Sequence, residues 1–273
     1  MKPRYSFSSR RTGQARDPKN YLKQKAKFPA VVEKVLKTSD IILETLDARF
    51  ISDTRNLEIE KEIKHQEKNI IYVVNKADLI NKSKIKLPPL PYSIISCKKR
   101  TGIKTLRDKI KSIASKIKKE KIIVGVIGYP NTGKSSIINL LIGKKSAGTG
   151  AEAGFTKGVQ KLKLSQNIVM LDSPGVIPKL EYTSVENKKL AKHVKVGART
   201  FSQIKDPEIM ISEFMKEFPN VLQKHYKIKT KSSEYLIEKL GRQKNFLKKG
   251  NLVNFDQTSR FILKEWQAGN IKI

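Results

Sequence analysis

The stretch from Ile122 to Gly143, IIVGVIGYPNTGKSSIINLLIG, constrains the fold more than any other. A solid run of β-branched residues reads as a buried strand, and KSSIINLLIG reads as a helix. Between them stands Gly128-x-x-x-x-Gly133-Lys134-Ser135. The glycines let backbone N–H groups curl around an anion, and the helix that starts at the lysine points the positive end of its dipole at it. Strand before and helix after are the context that separates a phosphate-binding loop from a chance match. Tyr129, Pro130, Asn131, Thr132, Gly133 and Ser136 would line the phosphates. Lys134 would reach the β- and γ-phosphates, and Ser135 would offer its hydroxyl to Mg²⁺.

Four further short stretches fit the same chemistry. LDSPG, Leu171 to Gly175, follows another strand: Asp172 fits the second Mg²⁺ carboxylate, and Gly175 fits the backbone N–H that senses a γ-phosphate. Alone it would read as a Pro-Gly turn. GFTKG, Gly154 to Gly158, lies between these two loops, where Thr156 stands in the place of a threonine that donates to Mg²⁺. NKAD, Asn75 to Asp78, ends the strand NIIYVV. A carboxylate at Asp78 can accept both the ring N–H and the exocyclic amino group of guanine, a donor pair adenine lacks. Lys76 would lie along the base plane and Asn75 would brace the loop. SCK, Ser96-Cys97-Lys98, ends the next strand and fits the loop that backs the base, with Cys97 in a small-residue position or simply as a buried thiol.

The order of these stretches is unusual. The guanine and base-backing loops come first, then the phosphate loop, the threonine and the Mg²⁺ carboxylate. Each occurs once and each sits at a strand end. An ordinary nucleotide-binding domain cut before its fourth strand, with its old ends joined, gives this order. Closely spaced termini make the rearrangement feasible. The new joint is KIKKEK, Lys116 to Lys121.

Strands alternate with helices up to Pro178. DIILETLDARF, NIIYVV, YSIISCK and KIIVGVIG read as buried strands, and VQKLKL with NIVMLD as a strand pair. Solid apolar strands between helices predict a mostly parallel α/β sheet covered on both faces. NLEIEKEIKHQEK reads as a helix with Leu57, Ile59 and Ile63 inward. GIKTLRDKIKSIASKI reads as another, with Ile103, Leu106, Ile110, Ile113, Ala114 and Ile117 on one face. Beyond Pro178 the apolar pattern is helical throughout, with starts at Asp206-Pro207 and Ser232-Ser233 and stops at Gly241 and Gly269. The expected domains are a basic arm over 1–25, the permuted α/β domain over 26–184 and a small all-helical domain over 185–273.

Of the 273 residues, 57 are Lys or Arg and 25 are Asp or Glu, a formal charge of +32. Residues 1–39 hold 11 basic and 2 acidic side chains, residues 40–178 hold 26 and 13, and residues 179–273 hold 20 and 10. An excess spread over the whole chain predicts an anionic macromolecular partner, nucleic acid above all, in preference to a merely solvated surface. A single cysteine, Cys97, excludes an internal disulfide framework, and His65, His193 and His225 show no metal-binding spacing. The longest apolar run, Ile122 to Ile127, is far too short to span a bilayer. No secretory signal is visible. The acid-free MKPRYSFSSRRTGQAR has the composition of a transit peptide but no apolar face, so it reads as an RNA-contacting arm. The expected setting is cytoplasmic, and the expected state monomeric.

The motif order NKAD, SCK, GYPNTGKS, GFT, DSPG, with the upstream DIILETLDAR and the late SRFILKEWQAGNI, resembles the circularly permuted GTPases of the YlqF/RbgA/YawG type. The absence of an oligonucleotide-binding module before these motifs sets the chain apart from the RsgA type. The resemblance implies a P-loop GTPase fold, GTP and GDP as ligands with Mg²⁺, and GTP hydrolysis in assembly of the large ribosomal subunit through rRNA. Similar GTPases with an asparagine in the phosphate loop recruit K⁺ there, which implies K⁺ at Asn131. Lys134, Thr156 and Gly175 are the catalytic positions so implied. Val176 stands where many small GTPases carry a water-orienting glutamine, so unaided hydrolysis is expected to be slow. An RNA chaperone whose nucleotide only orders the fold is the competing expectation. The short stretch Val176 to Ser184 is expected to transmit the nucleotide state to the helical domain.

Overall fold

The computed structural model describes residues 30–81, 86–143, 160–175, 177 and 187–273. Thr156, Val176, the basic arm and most of the stretch after Gly175 fall outside them.

Residues 30–38 form helix α1. The sheet then takes β1 (Ile41–Asp47), β2 (Asn69–Asn75), β3 (Tyr92–Ile94), β4 (Ile122–Gly128), β5 (Gln160–Lys163) and β6 (Ile168–Asp172). Their spatial order is β3-β2-β1-β4-β6-β5, with every pairing parallel except β5 with β6. The mostly parallel α/β sheet is as expected. Its two halves, β1 to β3 and β4 to β6, are joined by one pairing, β1 with β4, in which Thr45 stands opposite Gly128. That seam is where the reversed motif order is reconciled. The chain enters at the middle of the sheet, completes the guanine side, and only then returns through residues 116–121 to build the phosphate side.

Both faces are covered, and β1 is buried along its whole length. On one face α4 (Ile103–Ala114) and α5 (Lys134–Ile142) place Leu106, Ile110, Ile137 and Leu141 on Leu43, Val73 and Val126. On the other, α1 and α3 (Leu57–His65) place Val35, Leu36 and Ile63 on Ile42 and Ile127. Asn56 caps α3, its side chain accepting from the Ile59 amide at 3.2 Å. The expectation for α3 fails at Leu57, which is 58% exposed. It lies two residues from Ile59, about 200° round the helix, whereas Ile63 lies four residues on and about 40° away.

The short α2 (Ile51–Thr54) follows β1. After the sheet come α6 (Asn187–Lys195), α7 (Pro207–Glu217), α8 (Val221–Tyr226), α9 (Ser233–Gln243) and α10 (Phe255–Ala268). They close on a core of Phe214, Leu222, Leu236, Leu240, Ile262 and Trp266. Ser232 caps α9 and Gly269, at φ +75°, ends α10, both as read from the sequence. Two features differ. A hairpin of β7 (Leu247–Lys248) and β8 (Leu252–Val253) interrupts the helices. Helix α9 also runs through Gly241 instead of stopping there. A Cβ on Gly241 would lie 2.3 Å from Val253 Cγ1, so this glycine serves close packing against the hairpin, not chain termination.

Candidate functional site

The loops expected to bind nucleotide leave the C-terminal ends of adjacent parallel strands, the edge where open α/β sheets place their ligands. Gly128 closes β4 at φ +141°, and a Cβ there would lie 2.3 Å from Thr45 Oγ1. Gly133, at φ +99°, starts α5, and a Cβ there would lie 2.3 Å from Asn75 Nδ2. Glycine is thus required twice, once by the seam strand β1 and once by the guanine loop.

Asn75 holds the two halves of the site together. Its Nδ2 donates to the Thr132 carbonyl at 2.8 Å, while its Oδ1 accepts from the Cys97 amide at 3.1 Å. One buried side chain therefore ties phosphate loop, guanine loop and base-backing loop. The hydroxyls of Thr132 and Thr45 lie 2.7 Å apart, and Thr132 Oγ1 donates to the Tyr129 carbonyl at 2.9 Å. Ser96 Oγ donates to Asp78 Oδ1 at 2.5 Å and accepts from the Lys99 amide, which orients the carboxylate expected to read the base. Burial pushes the Cys97 thiol up to about 12, so it acts as a packed residue, not a nucleophile. Lys98 is exposed beside it.

On the phosphate side, Lys134 Nζ donates to the carbonyls of Gly128 and Tyr129 at 3.1 and 2.8 Å. Burial lowers this ammonium to about 8, against the opposing pull of Asp172. Ser135 Oγ donates to Asp172 Oδ2 at 2.7 Å. Asp172 Oδ1 is buried without a hydrogen-bond partner, and burial raises the carboxyl above its ordinary value. A hard cation favours oxygen donors of this kind, so Ser135 and Asp172 fit Mg²⁺. Among the described residues no group of three or more His, Cys, Asp or Glu side chains could hold a metal. Gly175 packs on the loop: a Cβ there would lie 2.6 Å from Pro130 Cα. Ser136 follows in the first turn of α5.

Four relationships lay beyond the sequence reading. Tyr129, expected to line the phosphates, has its ring fully buried in the helical core, with Lys192 Nζ 5.7 Å from the ring centre. Asn131, at φ +59°, donates from Nδ2 to the Gly197 carbonyl at 2.8 Å. Lys195, buried at the end of α6, pairs with Asp53 of α2 at 2.7 Å and Glu217 of α7 at 2.6 Å. The helices thus dock directly on the phosphate loop, in addition to their connection through residues 176–186. The fourth concerns Lys76, whose Nζ pairs with Asp47 Oδ2 at 2.8 Å, at the end of β1. Sequence offered only the string LDAR for that partner.

The comparisons with known proteins agree with this geometry. A family model described as 50S ribosome-binding GTPase matches residues 123–239, starting at β4 and leaving the guanine half upstream, as a permuted order requires. The chain is 36% identical to a GTP-binding protein of Methanocaldococcus jannaschii over 91% of its own length and 67% of the relative's. It is 28% identical to the GTPase grn1 of Schizosaccharomyces pombe, covering 88% of this chain and 60% of that one. To the nuclear GTP-binding protein NUG1 of Saccharomyces cerevisiae it is 29% identical, over 91% and 56%. The chain thus spans between about half and two thirds of the length of these relatives. Among solved structures, GNP-bound YlqF from T. maritima superposes with a TM-score of 0.62 at 22% identity, covering 89% of this chain and 94% of that one. The GDP-bound form gives 0.61 at 21%, covering 88% and 96%. The chain belongs to the family of YlqF-like, circularly permuted, 50S ribosome-binding GTPases.

Proposed function

We propose that this protein is a GTP-hydrolysing switch that acts in assembly of the large ribosomal subunit through rRNA. The observation that supports it most is the Asn75 bridge: guanine loop, base-backing loop and phosphate loop are held in one constellation although the chain visits them in reversed order. Asp78 reads the base, Lys76 flanks it, and Gly128 to Ser136 cradle the phosphates. Lys134 moves from the Gly128 and Tyr129 carbonyls to the phosphate oxygens, whose negative charge offsets the cost of burying its ammonium. Ser135 and Asp172, with Thr156, would hold Mg²⁺, which would supply charge neutralisation to the phosphates. Asn131 holds K⁺ beside them. With Val176 in the glutamine position, the ribosomal particle completes the water-positioning side of the site, so turnover alone is slow.

The partners are rRNA and the large subunit or its precursor. The +32 charge supports this, as does the matching family model. No helix among the described residues is long and apolar enough to cross a membrane. Residues 1–25 act as a basic arm, 26–184 as the GTPase domain and 185–273 as the RNA-contacting helical domain, and the protein works as a monomer in the cytoplasm. GTP turnover measured with and without large-subunit particles tests the reading. Stimulation by particles is expected. Nucleotide binding without turnover under either condition would instead mark an RNA chaperone with a structural nucleotide.

A further inference from the structure

Lys76 occupies a left-handed backbone conformation, φ +63°, which a lysine adopts only when its surroundings enforce it. The enforcement is visible on both sides. Ala48 N donates to the Asn75 carbonyl at 2.8 Å, and Ala77 N donates to the Ile95 carbonyl at 3.2 Å. The side chain is held by Asp47, fully buried at the end of β1. Asp47 in turn accepts from Arg49 three times: from the amide and Nε on Oδ1, each at 3.1 Å, and from Nη2 on Oδ2 at 2.9 Å. The remaining terminal nitrogen, Nη1, donates to the Trp266 carbonyl in α10 at 3.3 Å. Burial alone would raise the Asp47 carboxyl, but Lys76 and Arg49 outweigh it and hold it well below the usual carboxylate range.

The same end of α10 meets the guanine loop a second time. A Cβ on Gly269 would lie 2.6 Å from Leu79 Cδ1, one residue beyond Asp78. The last helix therefore braces the base-reading loop at two points, through Arg49 to Asp47 and through Gly269 to Leu79. We propose that Asp47 is the positioning residue of the guanine-reading lysine, held in register by Arg49 and the C-terminal end of helix α10. Asp47 never touches nucleotide; it fixes the Lys76 stem in the plane where a purine must lie. The device sits on the base side, away from the γ-phosphate, so it acts on GDP and GTP alike. The inference rests on the guanine-binding reading above.

The test is equilibrium binding of a fluorescent GDP and of a non-hydrolysable GTP analogue, without ribosomal particles, to the wild type, Asp47→Asn, Lys76→Met and the double variant. Loss of a charge-assisted bond is expected to weaken both nucleotides roughly 10- to 100-fold in each single variant. The KM for GTP should rise equally, while kcat at saturating GTP stays level. The double variant should be no weaker than the single ones, since both remove one interaction. Asp47→Glu, which keeps the charge, should recover most of the affinity. Should Asp47→Asn fail to fold, Gly269→Ala carries the test: its wedge against Leu79 should weaken GDP and the GTP analogue alike. Wild-type affinity in the folded variant, or fully additive losses in the double variant, would overturn the inference while leaving the functional reading intact. A wild-type chain that bound no guanine nucleotide would overturn both.

Discussion

Asn75 and Thr132 are 57 positions apart in sequence, yet the side-chain amide of one donates to the main-chain carbonyl of the other at 2.8 Å. Asn75→Ala strips the partner from that buried carbonyl and from the Cys97 amide, and a buried polar group left unpaired costs about 1–3 kcal/mol. The expected result is a lower melting temperature without ligand and weaker GDP binding, read by thermal unfolding with and without GDP. A loss of affinity with unchanged stability would deny the bridge its structural role.

Gly175 approaches Pro130 so closely that any side chain must displace one of the two loops. Gly175→Ala is expected to weaken a GTP analogue more than GDP, because only the former has a phosphate for the Gly175 amide to sense. The ratio of the two dissociation constants is the measurement. Equal losses would remove Gly175 from γ-phosphate sensing.

Turnover of GTP is expected to rise when K⁺ replaces Na⁺ at constant ionic strength. Asn131→Ala should abolish that difference, and should also loosen the contact with Gly197. Equal steady-state rates in the two salts would take K⁺ out of the site.

If phosphates dominate the ribosomal contact through six to ten cations, particle affinity should fall roughly 10³- to 10⁵-fold between 50 and 200 mM salt. Binding isotherms across that range decide the matter. A flat profile would reduce the positive charge to surface solvation.

Glu44 lies in the middle of β1, where burial and then Glu60 raise its carboxyl to about 8. Its Oε1 accepts from the Asn56 amide at 2.8 Å. The folded value exceeds the unfolded one, so the native state retains a proton that the unfolded chain releases. Stability from this group is complete below the unfolded value near 4.5 and is lost as pH rises through about 8. The melting temperature should decline across that window in the wild type and much less in Glu44→Gln. Each tenfold change in proton affinity is worth about 1.4 kcal/mol, so the difference amounts to several degrees. Parallel profiles would show that Glu44 titrates normally.

The site was legible where the chemistry demands particular residue types at a strand end. A loop that wraps phosphates must carry glycines and a lysine, and a guanine reader must carry a carboxylate, whatever the order of the strands. Solid apolar strands likewise announced a sheet covered on both faces. What escaped was set by partners far away in sequence. The Tyr129 ring has the composition of a loop residue, and nothing in its neighbours reveals that it is buried in the core of the C-terminal helices. Asp47 reads as the polar end of a strand until Lys76 and Arg49 close on it. Gly241 looks like a helix stop, because the hairpin that presses against it consists of two strands of two residues each, too short to show alternation.

The single seam between β1 and β4 gives the direction of protein synthesis a physical meaning. Translation delivers the base-reading half first, and the inner edge of β1 stays bare until residues 122–128 emerge to cover it. Trp266 and Gly269, which brace the guanine loop, arrive only after all six strands of the sheet have been made. A nascent polypeptide therefore passes through a long stage that owns a guanine loop but neither a phosphate cradle nor its brace. The guanine loop is thus made long before the partners that hold it in shape.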